Sequence, residues 1–437
     1  MRRLWVIPIA FAVATVAARI ALHLAHATPP SDPTQPLVVV TAWHALGALL
    51  LGLVVAAVGV AAIPYVAVLR STSAPRLART LGLCVLALAA VLLFPAIFSS
   101  DVYAYAAYGE ATRIGLDAYA PIANGHGDPL LIGALRQWGG VLPLCVYGPA
   151  FVRFAQALVT LSAPFGTLAQ LDVFRIASST ALPICAALLY AALRGAPTEE
   201  RLRGAFSLAL NPVALWTCAE GHNDALAVLA LLAAIALVRR GVPFFGAFLA
   251  AAAALFKIPC AVVAAAIAVD ATLARRSAFR VWIGLGAGSL FAAAFLAPWF
   301  HASFGMLSHG IYEPQASLQG LLFFAPWLAI AIALAVVAYG AFMLARGDRA
   351  GWCGIALGGW LLLPSPYPWY GLWLVPIARL APKSRAAAIL IGLSLTAIVR
   401  YVPDAVATPN VVAAAAIAAV ALSPLLLSLR RPWLPIS

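Results

Sequence analysis

Apolar windows of the length a bilayer demands recur from one end of this chain to the other, and little between them is polar enough to build a water-facing domain. A spanning helix needs about 20 mostly apolar residues. The first window runs from Leu4 to Leu24, and the rest are separated by Pro-rich or basic turns rather than by a linker. Of 437 residues, 64% are hydrophobic and 9% charged, whereas a soluble domain carries roughly 25% charged residues. The expectation is an all-α, polytopic transmembrane helix bundle of about 14 spans, a single integral membrane domain over 1–437. The first window is longer than a secretory h-region and contains Arg19, so it reads as a retained span. The 6 cysteines form no CxxC pair and no disulfide framework.

Basic residues orient the spans, because Lys and Arg in short loops collect on the cytoplasmic side. They cluster at Arg2/Arg3, Arg70/Arg76/Arg79, Arg194/Arg201/Arg203, Arg239/Arg240, Arg275/Arg276/Arg280, Arg346/Arg349, Arg379/Lys383/Arg385 and Arg430/Arg431. Each neighbouring pair of clusters is separated by enough apolar chain for two crossings, which puts both termini in the cytoplasm. The protein is then a multi-pass protein of the inner (plasma) membrane. The formal charge of +13 is a topology signal with anionic membrane lipid as its partner; nucleic acid is not a partner. Acidic residues show the complementary bias: Asp32, Asp101, Glu110, Asp117, Asp128, Glu220, Asp224, Glu313 and Asp404 all fall on outer turns. Chemistry is expected on that extracytoplasmic side.

The longest polar stretch, 99–146, is an outer loop too long to be a simple connector. Ser99-Ser100-Asp101 is a helix start, Val102 to Ile114 suits a short amphipathic helix, and Gly115 supplies its stop. A second short helix is expected from Pro129 to Trp138. Both would lie along the membrane surface. From Tyr147 to Leu161 the apolar run is short and holds Arg153, so 147–170 reads as a re-entrant or interfacial hairpin. Three further turns share that membrane level: Asn211-Pro212 through Glu220-Gly221-His222-Asn223-Asp224, the break at Lys257 before Pro259, and Pro364-Ser365-Pro366-Tyr367-Pro368-Trp369-Tyr370.

A D-x-Y-x-Y helix start after an early span, a G-x-D-x-Y-x-P turn, YGP entering the membrane, a GHND turn, a lone K-x-P and a late P-W-Y occur in that order over about residues 95–375. Together they resemble the C-superfamily membrane glycosyltransferases, and most of all the bacterial polyprenyl-phosphate-mannose-dependent α-mannosyltransferases. Where that family has Pro-Tyr after the glycine turn, this chain has Asp117-Ala118-Tyr119-Ala120-Pro121. The resemblance implies a hexosyltransferase that passes a sugar from a polyprenyl-phosphate carrier to a hydroxyl of a glycan or glycolipid acceptor. It also implies that an acidic residue of the first large outer loop, here Asp101, is the general base.

The chemistry asks for a carboxylate within reach of the attacking hydroxyl and a cation where charge builds on the departing phosphate. Lys257 is the candidate cation, with Arg153 as its helper, and Tyr105, Tyr147, His222, Asn223, Asp224 and Tyr370 are candidate substrate contacts. Each has a plainer reading. Asp101 is also placed to cap a helix, Lys257 to snorkel to the interface, and Tyr103, Tyr105, Tyr108, Trp369 and Tyr370 to form an aromatic belt. Glu220 and Asp224 are second-choice acids. His126 and Asp128 are too few to define a metal site; no cofactor is required, and the sequence leaves a divalent metal undecided. A secondary transporter or lipid flippase is the alternative, but transporters show internal repeats and midplane ionisable groups, and the sequence has no such repeat. A glycan ligase or polymerase shares the outer-loop logic.

Overall fold

The computed structural model describes residues 2–25, 45–71, 73–95, 99–275, 277–295, 314–381, 384–405 and 411–430. Asp32, Arg276, Glu313, Lys383 and Arg431 lie outside these, as does the side chain of Asp404. All regular structure among the described residues is helical. In chain order the first helices are α1 (Val6–Leu24), α2 (Ala45–Arg70), α3 (Leu77–Leu92), α4 (Asp101–Arg113), α5 (Pro129–Gln137), α6 (Pro149–Ser162) and α7 (Thr167–Ala192). They are followed by α8 (Thr198–Ala209), α9 (Pro212–Ala219), α10 (Asp224–Arg239), α11 (Pro243–Ala252), α12 (Pro259–Leu273) and α13 (Ala278–Ala293). Later helices include Pro326–Ala345, Gly351–Leu362, Gly371–Leu380 and Arg385–Thr396.

The count of about 14 spans is not met by long helices. Five helices among the described residues are long and apolar enough to cross a membrane, Arg3–Leu24, Ala45–Arg70, Thr167–Ala192, Pro326–Ala345 and Arg385–Pro403. The pair α9 and α10 passes the same test jointly but is bent by 117°. The remaining apolar windows are cut short. At about 1.5 Å per residue, helices such as α11 and α12 fall well below the roughly 30 Å of a hydrocarbon core. Pro243 and Pro259 at the first turns of α11 and α12 mark where the windows divide. Lipid-facing character is clearest on Pro326–Ala345, where Trp327, Leu334, Tyr339 and Phe342 are exposed. This is a membrane protein by composition and by helix length.

Turn chemistry sets the short helices that carry the polar segments. Asp128 caps α5, its Oδ1 accepting from the backbone N–H of Leu130 and Leu131 at 2.9 and 3.0 Å, with Pro129 in the first turn. Asn211 caps α9 in the same way through Val213 and Ala214. The two short helices expected in 99–146 are both present. The first is enclosed: Val102 to Ala111 of α4 are all buried, because α4 docks on α6 and α7 inside the protein. That contact is close because Gly109 lies on the backbone of Ala155, where a Cβ would sit 2.6 Å from the Ala155 carbonyl oxygen. Small residues permit such backbone approach where helices associate without water. In the segment expected to be a hairpin, α6 is one continuous helix that turns at Gly166 into α7.

Gly148 is the tightest of these junctions. A Cβ there would lie 2.0 Å from the Leu255 carbonyl oxygen, so the YGP segment touches the break between α11 and α12 backbone to backbone. Gly148→Ala should cost about 1–3 kcal/mol through overpacking, read as a lowered thermal midpoint of the detergent-solubilised protein. Gly82→Ala, in α3 with nothing within 4 Å of the added carbon, is the control and should be neutral or stabilising by about 0.5–1 kcal/mol.

Candidate functional site

Four segments distant in sequence meet at the turn between α9 and α10. Gly221 makes the turn possible with φ +93, and a Cβ there would fall 2.6 Å from Val102 of α4 and 3.2 Å from Arg175 of α7. The residues after it then face in two directions. His222 turns towards Asp101, with Nδ1 3.4 Å from Oδ2. Asn223 and Asp224 turn towards Lys257, whose Nζ donates to Asn223 Oδ1 at 3.1 Å and to Asp224 Oδ2 at 2.7 Å.

Asp101 opens α4 without capping it. Its backbone N–H donates to Ser99 Oγ, and its carboxylate receives the Tyr105 hydroxyl on Oδ2 at 3.3 Å. The carboxylate side chain is 22% exposed, so it is reachable. Asn223 and Asp224 likewise forgo the capping role natural to them at the start of α10 and spend their oxygens on Lys257. The Asp224 Oδ1 takes the Trp373 indole N–H at 2.6 Å. Lys257 is 12% exposed and Asp224 1%, which rules out the snorkelling reading: the ammonium points inward, with the rings of Tyr147 and Tyr370 each 5.8 Å away.

The aromatic-belt reading is also overturned. Tyr103, Tyr105, Tyr108 and Trp369 are buried. Tyr105 stacks edge-on against Tyr147 and Phe151, and the Tyr147 hydroxyl reaches the Tyr105 oxygen at 3.4 Å. Burial, with the charge of Asp101 nearby, pushes both phenols well above their usual range, so they stay protonated donors. Burial likewise raises the Cys145 thiol to about 12, which leaves it inert. His222 lies in the turn, outside either helix. Burial pulls its pKa down, but the carboxylates of Asp101 and Glu220 outweigh this and hold it up at about 9.

Not every candidate joins the cluster. Arg153 is exposed on α6 and donates to Gln156 at 2.8 Å. His126 is exposed and Asp128 is engaged as a cap; among the described residues no group of three or more His, Cys, Asp or Glu is suited to a metal. Sequence reasoning missed Arg175. Its guanidinium donates to the carbonyls of Ala219 at 2.8 Å, Leu92 at 3.1 Å and Phe94 at 2.9 Å, tying the end of α3 to the end of α9. An arginine inside an apolar window was the available signal. Trp373 gave none.

The α-(1→6)-mannopyranosyltransferase N-terminal-domain family matches residues 5–273 of the chain. The chain belongs to this family. It is also 29% identical over 374 residues to α-(1→6)-mannopyranosyltransferase A of Mycobacterium tuberculosis, covering 72% of this chain and 68% of that protein. No solved structure matches it. The C-superfamily resemblance read from the motifs is therefore upheld: the chain is a membrane glycosyltransferase. That sets aside the transporter and flippase alternatives. Asp101, Glu220, His222, Asn223, Asp224 and Lys257 all fall within the matched residues, whereas Trp369, Tyr370 and Trp373 come from beyond them.

Arg175→Met should loosen the turn by leaving carbonyls unsatisfied, each costing about 1–3 kcal/mol. The check is the thermal midpoint together with proteolysis of the 220–224 turn. Arg175→Lys should recover only part, since a point-like ammonium cannot reproduce the fork.

Proposed function

We propose that the chain transfers mannose, or a related hexose, from a polyprenyl-phosphate carrier to a hydroxyl of a glycan or glycolipid acceptor. The reaction takes place at the extracytoplasmic face of the plasma membrane and inverts the sugar carbon. The observation that carries this reading is the meeting of Asp101, Lys257 and the GHND turn in one cluster. The name of the mycobacterial relative supports mannose, and the basic clusters support cytoplasmic termini with 99–146 on the outer side. On the same reading, 147–170 is a re-entrant or interfacial segment.

In this reaction the acceptor oxygen attacks the anomeric carbon as the bond from that carbon to the phosphate oxygen breaks. The Asp101 carboxylate takes the hydroxyl proton, and the polyprenyl phosphate leaves as an anion stabilised by Lys257. One base suffices, and no covalent enzyme intermediate forms. The Asn223 amide nitrogen is buried without a hydrogen-bond partner among the described residues, and supplies a donor for the substrate beside Lys257. Tyr147 and Tyr370 flank the ammonium, where they would contact the phosphate and sugar. Tyr105 acts on Asp101. The Asp224 carboxylate holds Lys257 in place.

Asp101→Asn keeps volume but removes the basic oxygen. It should abolish transfer from radiolabelled polyprenyl-phosphate mannose in membranes at matched expression while donor binding persists; activity within a few-fold of the parent would move the base to Asp224 or Glu220. Lys257→Met alone strands a buried carboxylate and should cost about 3–5 kcal/mol of stability, so the informative variant is Lys257→Met with Asp224→Asn. That pair should restore the thermal midpoint yet lower transfer at least about 10-fold, the size expected when a charge-assisted contact of about 1.5–3 kcal/mol is lost. Normal transfer by the double variant would remove Lys257 from the phosphate.

A further inference from the structure

His222 was expected among the substrate contacts, yet its side chain is 1% exposed and both ring nitrogens face carboxylates of the protein. Nδ1 lies 3.4 Å from Asp101 Oδ2 and Nε2 3.7 Å from Glu220 Oε2, ion-pair contacts that fall outside hydrogen-bond geometry. One ring face lies on Trp369, centroids 3.8 Å apart and planes 21° apart. Its backbone carbonyl accepts from Ser178 Oγ at 2.7 Å. Behind Trp369 the stack continues: Tyr367 lies on it at 4.4 Å and 9°, and the Arg400 guanidinium sits 4.2 Å over Tyr367 while bonding its hydroxyl and Ser365. Glu220 is buried in turn and receives the Tyr401 hydroxyl.

We propose that His222 is the positioning residue of the base, holding Asp101 through one nitrogen while Glu220 and the Trp369 stack fix the imidazole. The inference rests on Asp101 being the base. Its physical content lies in which oxygen is engaged. Both contacts on the carboxylate, from Tyr105 and from His222, fall on Oδ2. Oδ1 has no partner among the described residues and is left for the acceptor hydroxyl. A carboxylate free to rotate would offer either oxygen in many orientations, whereas one anchored on a single oxygen presents the other in a fixed direction. The residues that set this direction, Tyr367, Trp369, Arg400 and Tyr401, all lie beyond the family-matched 5–273. These four residues of the C-terminal third therefore act on the reaction through His222 without touching substrate.

The test compares His222→Phe, His222→Gln and Asp101→Asn in transfer from radiolabelled polyprenyl-phosphate mannose, with kcat and donor KM measured separately and the thermal midpoint of each recorded. His222→Phe fills the ring volume and keeps the stack but loses both nitrogens; kcat should fall about 100-fold, the cost of a misplaced reacting group, with donor KM unchanged. His222→Gln keeps one N–H for Asp101 and should recover about 10-fold of that loss. A kcat for His222→Phe within about twofold of the parent, or a raised donor KM as the main effect, overturns the proposal. Asp101→Asn separates the two levels: full transfer by that variant retires the base reading itself, while an inactive Asp101→Asn beside an unaffected His222→Phe retires only the positioning role. Should His222→Phe not fold, Trp369→Leu takes its place, since it leaves both carboxylates and removes only the clamp. A several-fold fall in kcat with KM kept is then expected, and an unchanged kcat overturns the proposal.

Discussion

A lysine and an aspartate buried against each other hold this site together. Removing both charges from water is expensive, and apolar residues of the same shape would often be at least as stable. The Lys257–Asp224 pair is therefore not explained by stability. What the pair does is fix geometry: it joins the break between α11 and α12 to the first turn of α10, 33 residues earlier in the chain. The surroundings satisfy what the pair leaves over, Asn223 on the ammonium and Trp373 on the second carboxylate oxygen. On the proposed reading, the lysine held this way is the cation that an anionic leaving group would need.

The pair can form only because the backbones come unusually close. Gly148 on Leu255, Gly109 on Ala155 and Gly221 against Val102 and Arg175 each leave no room for a Cβ. Side-chain packing would hold these segments farther apart, and the reach of Lys257, His222 and Asp101 is short. Glycine at the contacts and Arg175 across three carbonyls thus serve one end, bringing four irregular segments within hydrogen-bond distance. Buried irregular backbone survives only where its polar groups are satisfied, and the fold meets that demand with caps at Asp128 and Asn211 and with the Arg175 fork.

The legible parts of the sequence were those written in local chemistry. The all-helical class followed from charge-poor windows, and the short helices α4 and α5 followed from Ser99-Ser100-Asp101 and from Asp128-Pro129. The apex position of Lys257 followed from the break before Pro259. Apolar length was a poor guide to spans, because a window divided by a proline makes two short helices with the same composition as one long one. Tyrosines were misread for a related reason: Tyr103, Tyr105 and Tyr108 have the composition of an interfacial helix, and only tertiary contact reveals that α4 is enclosed. The partner of Lys257 was invisible, since nothing local in the sequence links position 224 to 257. Arg175 and Arg400 were the recoverable omissions, each an arginine inside an apolar run where an unpaired charge is costly.

The direction of the turn matters as much as its contacts. An inverting displacement places the incoming and departing oxygens on opposite sides of the anomeric carbon, so base and cation belong on opposite sides of the sugar. A turn of consecutive residues can supply that polarity, because His222 faces Asp101 while Asn223 and Asp224 face Lys257. On the proposed reading, the space between base and cation is then set by the turn itself, and neither can shift without straining the other through Gly221. Such a site has little freedom to adapt to donors of different size at the reacting carbon. Variation in the acceptor would have to be met elsewhere, in the segment from Asp117 to Cys145, where the chain departs from the family pattern and where the Tyr119 hydroxyl returns to the Tyr147 carbonyl at the edge of the cluster.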